Sequence, residues 1–159
     1  MNIFHLHKDP KICATYHCDK HVVKMILETG QMLSTAYQKY MGEDDELYKP
    51  AYPKHPMTIW VGESKGNYVW SLHLLNYLCR EYQYRYNKHH KTSTILKKLI
   101  DKSDKLMPNF HYKEFLIPPL CMPDEYKVSN YIKSYRNYYV GEKKRFARYT
   151  GVDAPDFML

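Results

Sequence analysis

The sequence predicts an all-α fold: a single compact domain over residues 1–159, built from two or three long helices, shorter helices and extended Pro-rich loops. Three observations lead there. Apolar residues recur at three- and four-residue spacing through two long stretches, the pattern of one buried helical face. Prolines gather between and after those stretches, so the connections are turns and extended loops. No segment alternates as a strand pair would, and no repeat or linker interrupts the chain. A chain of 159 residues fits one core and buries roughly two-thirds of the surface its unfolded form exposes.

From the amino terminus, Ile3, Phe4 and Leu6 are too apolar for a loose tail, so the first seven residues are expected to pack down. Asp9-Pro10 is a helix start, with a side-chain acceptor at the cap and Pro in the first turn, and predicts a short helix through Tyr16. From Asp19, the positions Val22, Ile26, Thr29, Leu33, Ala36 and Tyr40 form one face of a long helix. Gly42, an acidic cluster, Pro50, Pro53 and Pro56 make residues 42–56 a turn-rich connection that His55 ends. A second long helix is predicted from Met57 to Tyr86, with Gly62 and Gly66 weakening or bending its start. Thr92 to Ile100 reads as a shorter helix, Pro108 to Pro123 as an irregular stretch, and a final helix starts near Pro123.

Composition narrows the function. Lys and Arg outnumber Asp and Glu by 24 to 17, a net charge of +7, which suits a polyanionic partner. The 17 tyrosines interleave with these cations, as in surfaces that stack on bases, or else they line an amphipathic core. No apolar run is long enough to span a membrane, and no signal peptide follows Met1, so a soluble cytoplasmic protein with reduced thiols at Cys13, Cys18, Cys79 and Cys121 is expected.

The densest chemistry lies in residues 16–28. His17, Lys20, His21 and Lys24 fall at three- and four-residue separations, so a helix here gathers a cationic face that can hold phosphates. Glu28 lies at the end of that row, placed for proton transfer or for stabilising positive charge. The plainer alternative is a solvated helix face on which Lys24 and Glu28 form an ordinary ion pair. Cys13, His17, Cys18 and His21 carry ligand types that zinc accepts, but their spacing fits no zinc pattern, and no metal is expected.

A second basic region runs from residue 126 to 149. Arg136, Lys143 and Lys144 are candidate phosphate contacts, and Tyr138 and Tyr139 are placed to stack on an unpaired base. His55, held extended by the following Pro56, is either a base contact or a structural histidine. Trp60 and Trp70 belong with the core.

Asp19-Lys20-His21 followed by Glu28 resembles the start of the phage pyrimidine-dimer DNA glycosylase/AP lyase family, the endonuclease V type, where an Asp-x-His lies equally far ahead of the catalytic Glu on a long helix. The run from His55 to Gly62 is similar to that family's approach to its second long helix, and Tyr135 to Gly141 to its aromatic-basic carboxyl-terminal stretch. The resemblance implies a DNA-repair glycosylase, with AP lyase activity, whose amino-terminal α-amine is the nucleophile. An α-amine titrates near pH 8, about two units below lysine, so part of it is neutral at pH 7. The implied catalytic set is Glu28, His21 and the terminal residue, Met1 or Asn2, with His17, Lys20, Lys24 and His55 on DNA. No cofactor is implied. The implied partner is double-stranded DNA carrying a flipped or abasic nucleotide, bound by a monomer in the cytoplasm or nucleoid of a virus-infected host.

This chain departs from the family pattern in three places. Asn2 stands where the family has a small residue that permits removal of Met, the tail before Glu28 is longer, and Leu27 and Gly30 occupy positions where the family carries cations. Two other readings stay open: a silent nucleic-acid-binding protein of the same fold, and an enzyme acting on nucleotides or RNA.

Overall fold

The computed structural model describes all 159 residues. It is all-α, with α1 (Pro10–Tyr16), α2 (Asp19–Met41), α3 (Pro56–Val61), α4 (Lys65–Tyr86), α5 (Thr92–Leu106) and α6 (Tyr131–Lys143), plus three short 3₁₀ turns. The start of α1 follows its capping chemistry: Asp9 accepts the Lys11 N–H at 2.8 Å and Pro10 opens the helix. Along α2, Val22, Ile26, Thr29, Leu33 and Ala36 are all buried. Each large apolar side chain among them contributes about 1.5–3 kcal/mol by leaving water. Gly42 ends α2 at φ 86°, a conformation that favours glycine.

The second long helix is broken, a correction to the continuous helix expected from Met57. Ser64 accepts the Asn67 N–H and so caps a new helix three residues after α3 closes at Gly62. Asn67 then stitches the break, donating to Trp60 O at 2.7 Å and accepting Leu116 N–H at 2.8 Å. The chain crosses so close to Gly66 that a Cβ there would lie 2.4 Å from Phe115 N. Hence Gly66 serves a crossing rather than a bend.

Two more boundaries shift. α5 continues past Ile100 to Leu106, because Leu99 and Leu106 keep an apolar stripe on the core. Lys102, in that added turn, reaches Asp44 at 2.7 Å and Glu46 at 2.8 Å, tying down the acidic loop. At the other end, α6 begins at Tyr131, not near Pro123. Residues 124–126 form a 3₁₀ turn instead, and Asn130 caps the helix by accepting the Lys133 N–H.

α2 packs against α3, α4 and α5, while α1 lies on α4. Gly30 allows the close approach of α5, since a Cβ there would meet Thr92 Cγ2 at 2.7 Å. The amino-terminal segment threads into this frame. Ile3, Phe4, His5 and Leu6 are buried, and Arg136 from α6 and Trp70 from α4 donate to the carbonyls of Leu6 and Lys8. No helix is long and apolar enough to cross a membrane.

Candidate active site

Pinning residues 3–6 decides where the chain begins. Met1 packs against the core, and its amine lies 3.1 Å from Glu28 Oε1. Asn2 fixes the approach: its Oδ1 accepts the Ile3 N–H and its Nδ2 donates to Cys121 O, both at 2.9 Å. Glu28 therefore pairs with the terminal amine. The alternative expected from sequence, a Lys24–Glu28 pair, does not form. The other carboxylate oxygen, Oε2, is buried and has no hydrogen-bond partner.

The amine and carboxylate open onto a cavity of about 540 Å³. One wall is the α2 stripe His21, Lys24, Met25 and Glu28, at the i, i+3, i+4, i+7 spacing that puts four residues on one helix face. His55 and Pro56 form a second wall, and residues 119–122 with Tyr138 and Lys143 close the third. The Lys143 ammonium sits 4.8 Å from the Tyr138 ring centre and 5.8 Å from that of Phe4. An amine, a carboxylate with a free oxygen and two lysines thus share one concave site, a composition suited to a sugar-phosphate substrate.

The structure separates the sequence-predicted residues. Met1, Asn2, His21, Lys24, Glu28, His55, Tyr138 and Lys143 come together. Lys20 is exposed but lies over Phe146, outside the cavity. His17 is a correction: it is fully buried, with Nδ1 2.7 Å from Cys13 O, and cannot reach DNA. So is Tyr139, whose fully buried hydroxyl accepts the Cys18 N–H at 2.9 Å, at the start of α2. It cannot stack on a base. Arg136 faces a different groove, donating to Leu6 O and lying 4.9 Å from the Phe157 ring centre. Lys144 is exposed, away from the cavity, beside the Leu159 carbonyl at 3.2 Å. Tyr131 is half-buried, Tyr135 and Trp60 are buried, and Trp70 is half-buried against His5.

His21 belongs to the cavity but not to a solvated cationic face. Phe4 stacks on it at 4.7 Å between ring centres, and burial, then His17, Lys143 and Lys24, push its pKa down to about 3. It is neutral at pH 7. His55 also falls below its usual value, through burial and then the Met1 amine, with Glu28 acting in the other direction. Asp19 lies outside the site. Burial raises its pKa, but hydrogen bonds from Thr150 and Arg85 outweigh that and hold the carboxyl low.

A family model described as pyrimidine dimer DNA glycosylase matches residues 1–94. The chain belongs to that family. Its activity is base excision in DNA repair, so the glycosylase acts on damaged DNA. No curated protein and no solved structure matches the chain. The match takes in Met1, His21, Lys24, Glu28 and His55, whereas the wall made by residues 119–122, Tyr138 and Lys143 lies beyond it. Tyr138 and Lys143 are expected from the basic-aromatic run, but residues 119–122 have no chemical signal in the sequence. Pro118 and Pro119 mark extended chain, and nothing in their neighbourhood announces that Cys121 O holds Asn2.

Proposed function

We propose that this cavity is the active site of a glycosylase/AP lyase in which the terminal α-amine, held by Glu28, attacks the sugar of a damaged or modified nucleotide. The observation that carries the reading is the 3.1 Å contact between the Met1 amine and Glu28 inside a cavity edged by Lys24 and Lys143. Glu28 takes a proton from the ammonium, leaving a neutral nucleophile. The amine forms a bond to C1′ as the C1′–N glycosidic bond breaks, and that electron pair leaves with the base. Opening of the sugar ring gives a Schiff base, which acidifies the C2′ hydrogens. Loss of one of them and of the 3′ phosphate by β-elimination cuts the strand. Lys24 and Lys143 hold the flanking phosphates of double-stranded DNA, and the target nucleotide enters the cavity flipped out of the duplex or already abasic. One copy of the chain supplies every group named.

Met1 is the better bearer of the amine. Without it, the Asn2 amine would begin one Cα step, about 3.8 Å, further along the chain, and the Asn2 side chain is already committed to Cys121 and Ile3. The test is incubation with abasic-site duplex and borohydride, followed by mass mapping of the adduct. The expected product is one covalent adduct on the terminal residue, formed far more slowly in Glu28→Gln. An adduct on an internal lysine, or none, overturns the amine mechanism.

A further inference from the structure

His55 sits in the wall of the cavity shared by Met1 and Glu28. Pro56 holds it extended, at φ −66° and ψ 135°, and its Nδ1 accepts the Met57 N–H at 3.1 Å. A ring nitrogen that accepts must keep its lone pair, so the neutral imidazole carries its proton on Nε2. That nitrogen makes no bond within the protein. The shift described above keeps the ring uncharged at neutral pH. The site therefore contains an N–H donor of fixed tautomer that adds no positive charge to a cavity already holding the amine, Lys24 and Lys143.

Such a donor fits one need of the reaction. When the C1′–N bond breaks, its electron pair goes to the base; in a pyrimidine the charge spreads from the ring nitrogen to the adjacent carbonyl oxygen. A preorganised donor at that oxygen lowers the barrier because it meets charge absent from the ground state. A neutral imidazole does so without repelling the amine, and neutral histidines with lowered pKa act as electrophiles elsewhere. We propose that His55 is the leaving-group residue of this site, its Nε2–H donating to the carbonyl next to the glycosidic nitrogen of a pyrimidine-type base. No proton is transferred from His55; the base anion departs and takes its proton from water. The proposal rests on the amine reading above and extends it to the base.

The test compares two reactions of the same protein: base release from duplexes carrying uracil or 5-fluorouracil, and borohydride trapping on preformed abasic duplex. His55→Asn keeps a side-chain acceptor for the Met57 N–H, but its amide N–H ends short of the position held by Nε2–H. It should slow uracil release by about 10²-fold beyond any change in trapping. The deficit should shrink for 5-fluorouracil, a better leaving group, and His55→Gln, whose amide N–H reaches further, should recover part of it. Equal loss in both reactions, or a deficit indifferent to the leaving group, assigns His55 a purely structural role and overturns the proposal. Trapping by the wild-type protein without release of either pyrimidine overturns it while leaving the amine mechanism standing. Absence of trapping overturns both.

Discussion

The amino-terminal segment and α6 meet at the same cavity but are built on opposite terms. The first is apolar and almost wholly packed away: Ile3, Phe4 and Leu6 are buried, Asn2 is bonded on both sides, and the charged group it brings to the cavity is the amine at Glu28. α6 is the chain's richest run of cations and tyrosines, yet it spends most of them internally. Tyr139 caps the entry to α2, Tyr135 donates to Pro119 O at 2.6 Å, and Arg136 braces Leu6. Only Tyr138 and Lys143 reach the site. Density of charge and aromatic rings is therefore a poor guide to which helix does the chemistry. A sparse apolar tail brings its amine to the cavity while a basic helix acts chiefly as scaffold.

The sharpest way to break this contrast is Glu28→Gln. It should reduce Schiff-base trapping by about 10²-fold or more, in the range for losing a positioned acid-base group, with the fold unchanged by circular dichroism. Trapping at the wild-type rate would remove Glu28 from the chemistry, and an adduct mapped to an internal lysine would remove the amino-terminal segment.

Acid should then loosen the amino-terminal side. His5, His17 and His21 lie around Phe4 and Trp70, with pKa values lowered to about 3, 4 and 3, burial being the largest cause in each. Above pH 6.5 they are neutral whether folded or unfolded and cost nothing. Below it the unfolded chain binds protons that the folded chain refuses, so stability falls as pH drops from about 6.5 toward 4. Each histidine costs about 1.4 kcal/mol per pH unit over that window. Urea midpoints at pH 7, 6 and 5 should show the decline, and His5→Phe should flatten it.

On the α6 side, Tyr139→Phe strips the Cys18 N–H of its acceptor and should cost about 1–3 kcal/mol, read as a lower urea midpoint. The smallest effect separates two cations that look equivalent in sequence. Lys143→Ala should reduce the slope of log K against log salt for duplex binding by about 0.9. Arg136→Ala should leave the slope in place and lower stability instead; equal slopes for the two variants would return Arg136 to the DNA surface.

Much of the frame was legible. The spacing of Val22, Ile26 and Leu33 and the Asp9-Pro10 cap located α1 and α2, because those signals are local. The break at Ser64 was not legible because Val61 and Tyr68, on either side of it, keep the helical period across residues 62–67, and only the contacts of Asn67 decide between a cap and a continuous helix. Pro123 gave a false start to α6 because proline opens a 3₁₀ turn as readily as a helix. In the site, helical spacing correctly grouped His21, Lys24 and Glu28, which share one face of α2. It could not foresee that Phe4, seventeen positions earlier in the chain, would cover His21, nor that His17 would be sealed beneath. Helical periodicity says which residues share a face; partners distant in sequence decide whether that face is wet.

The Asn2–Cys121 bond joins residues 119 positions apart. During synthesis the first residues leave the ribosome long before the segment that holds them exists, and closing so long a loop is entropically costly until the intervening helices have formed. The cavity is thus assembled late although the amine that lines it is made first. A nascent or truncated chain lacking residues 119–122 and α6 has the amine and Glu28 but not the wall that keeps them in register. On the proposed reading, the site is completed only after the segment through Lys143 has been made and folded.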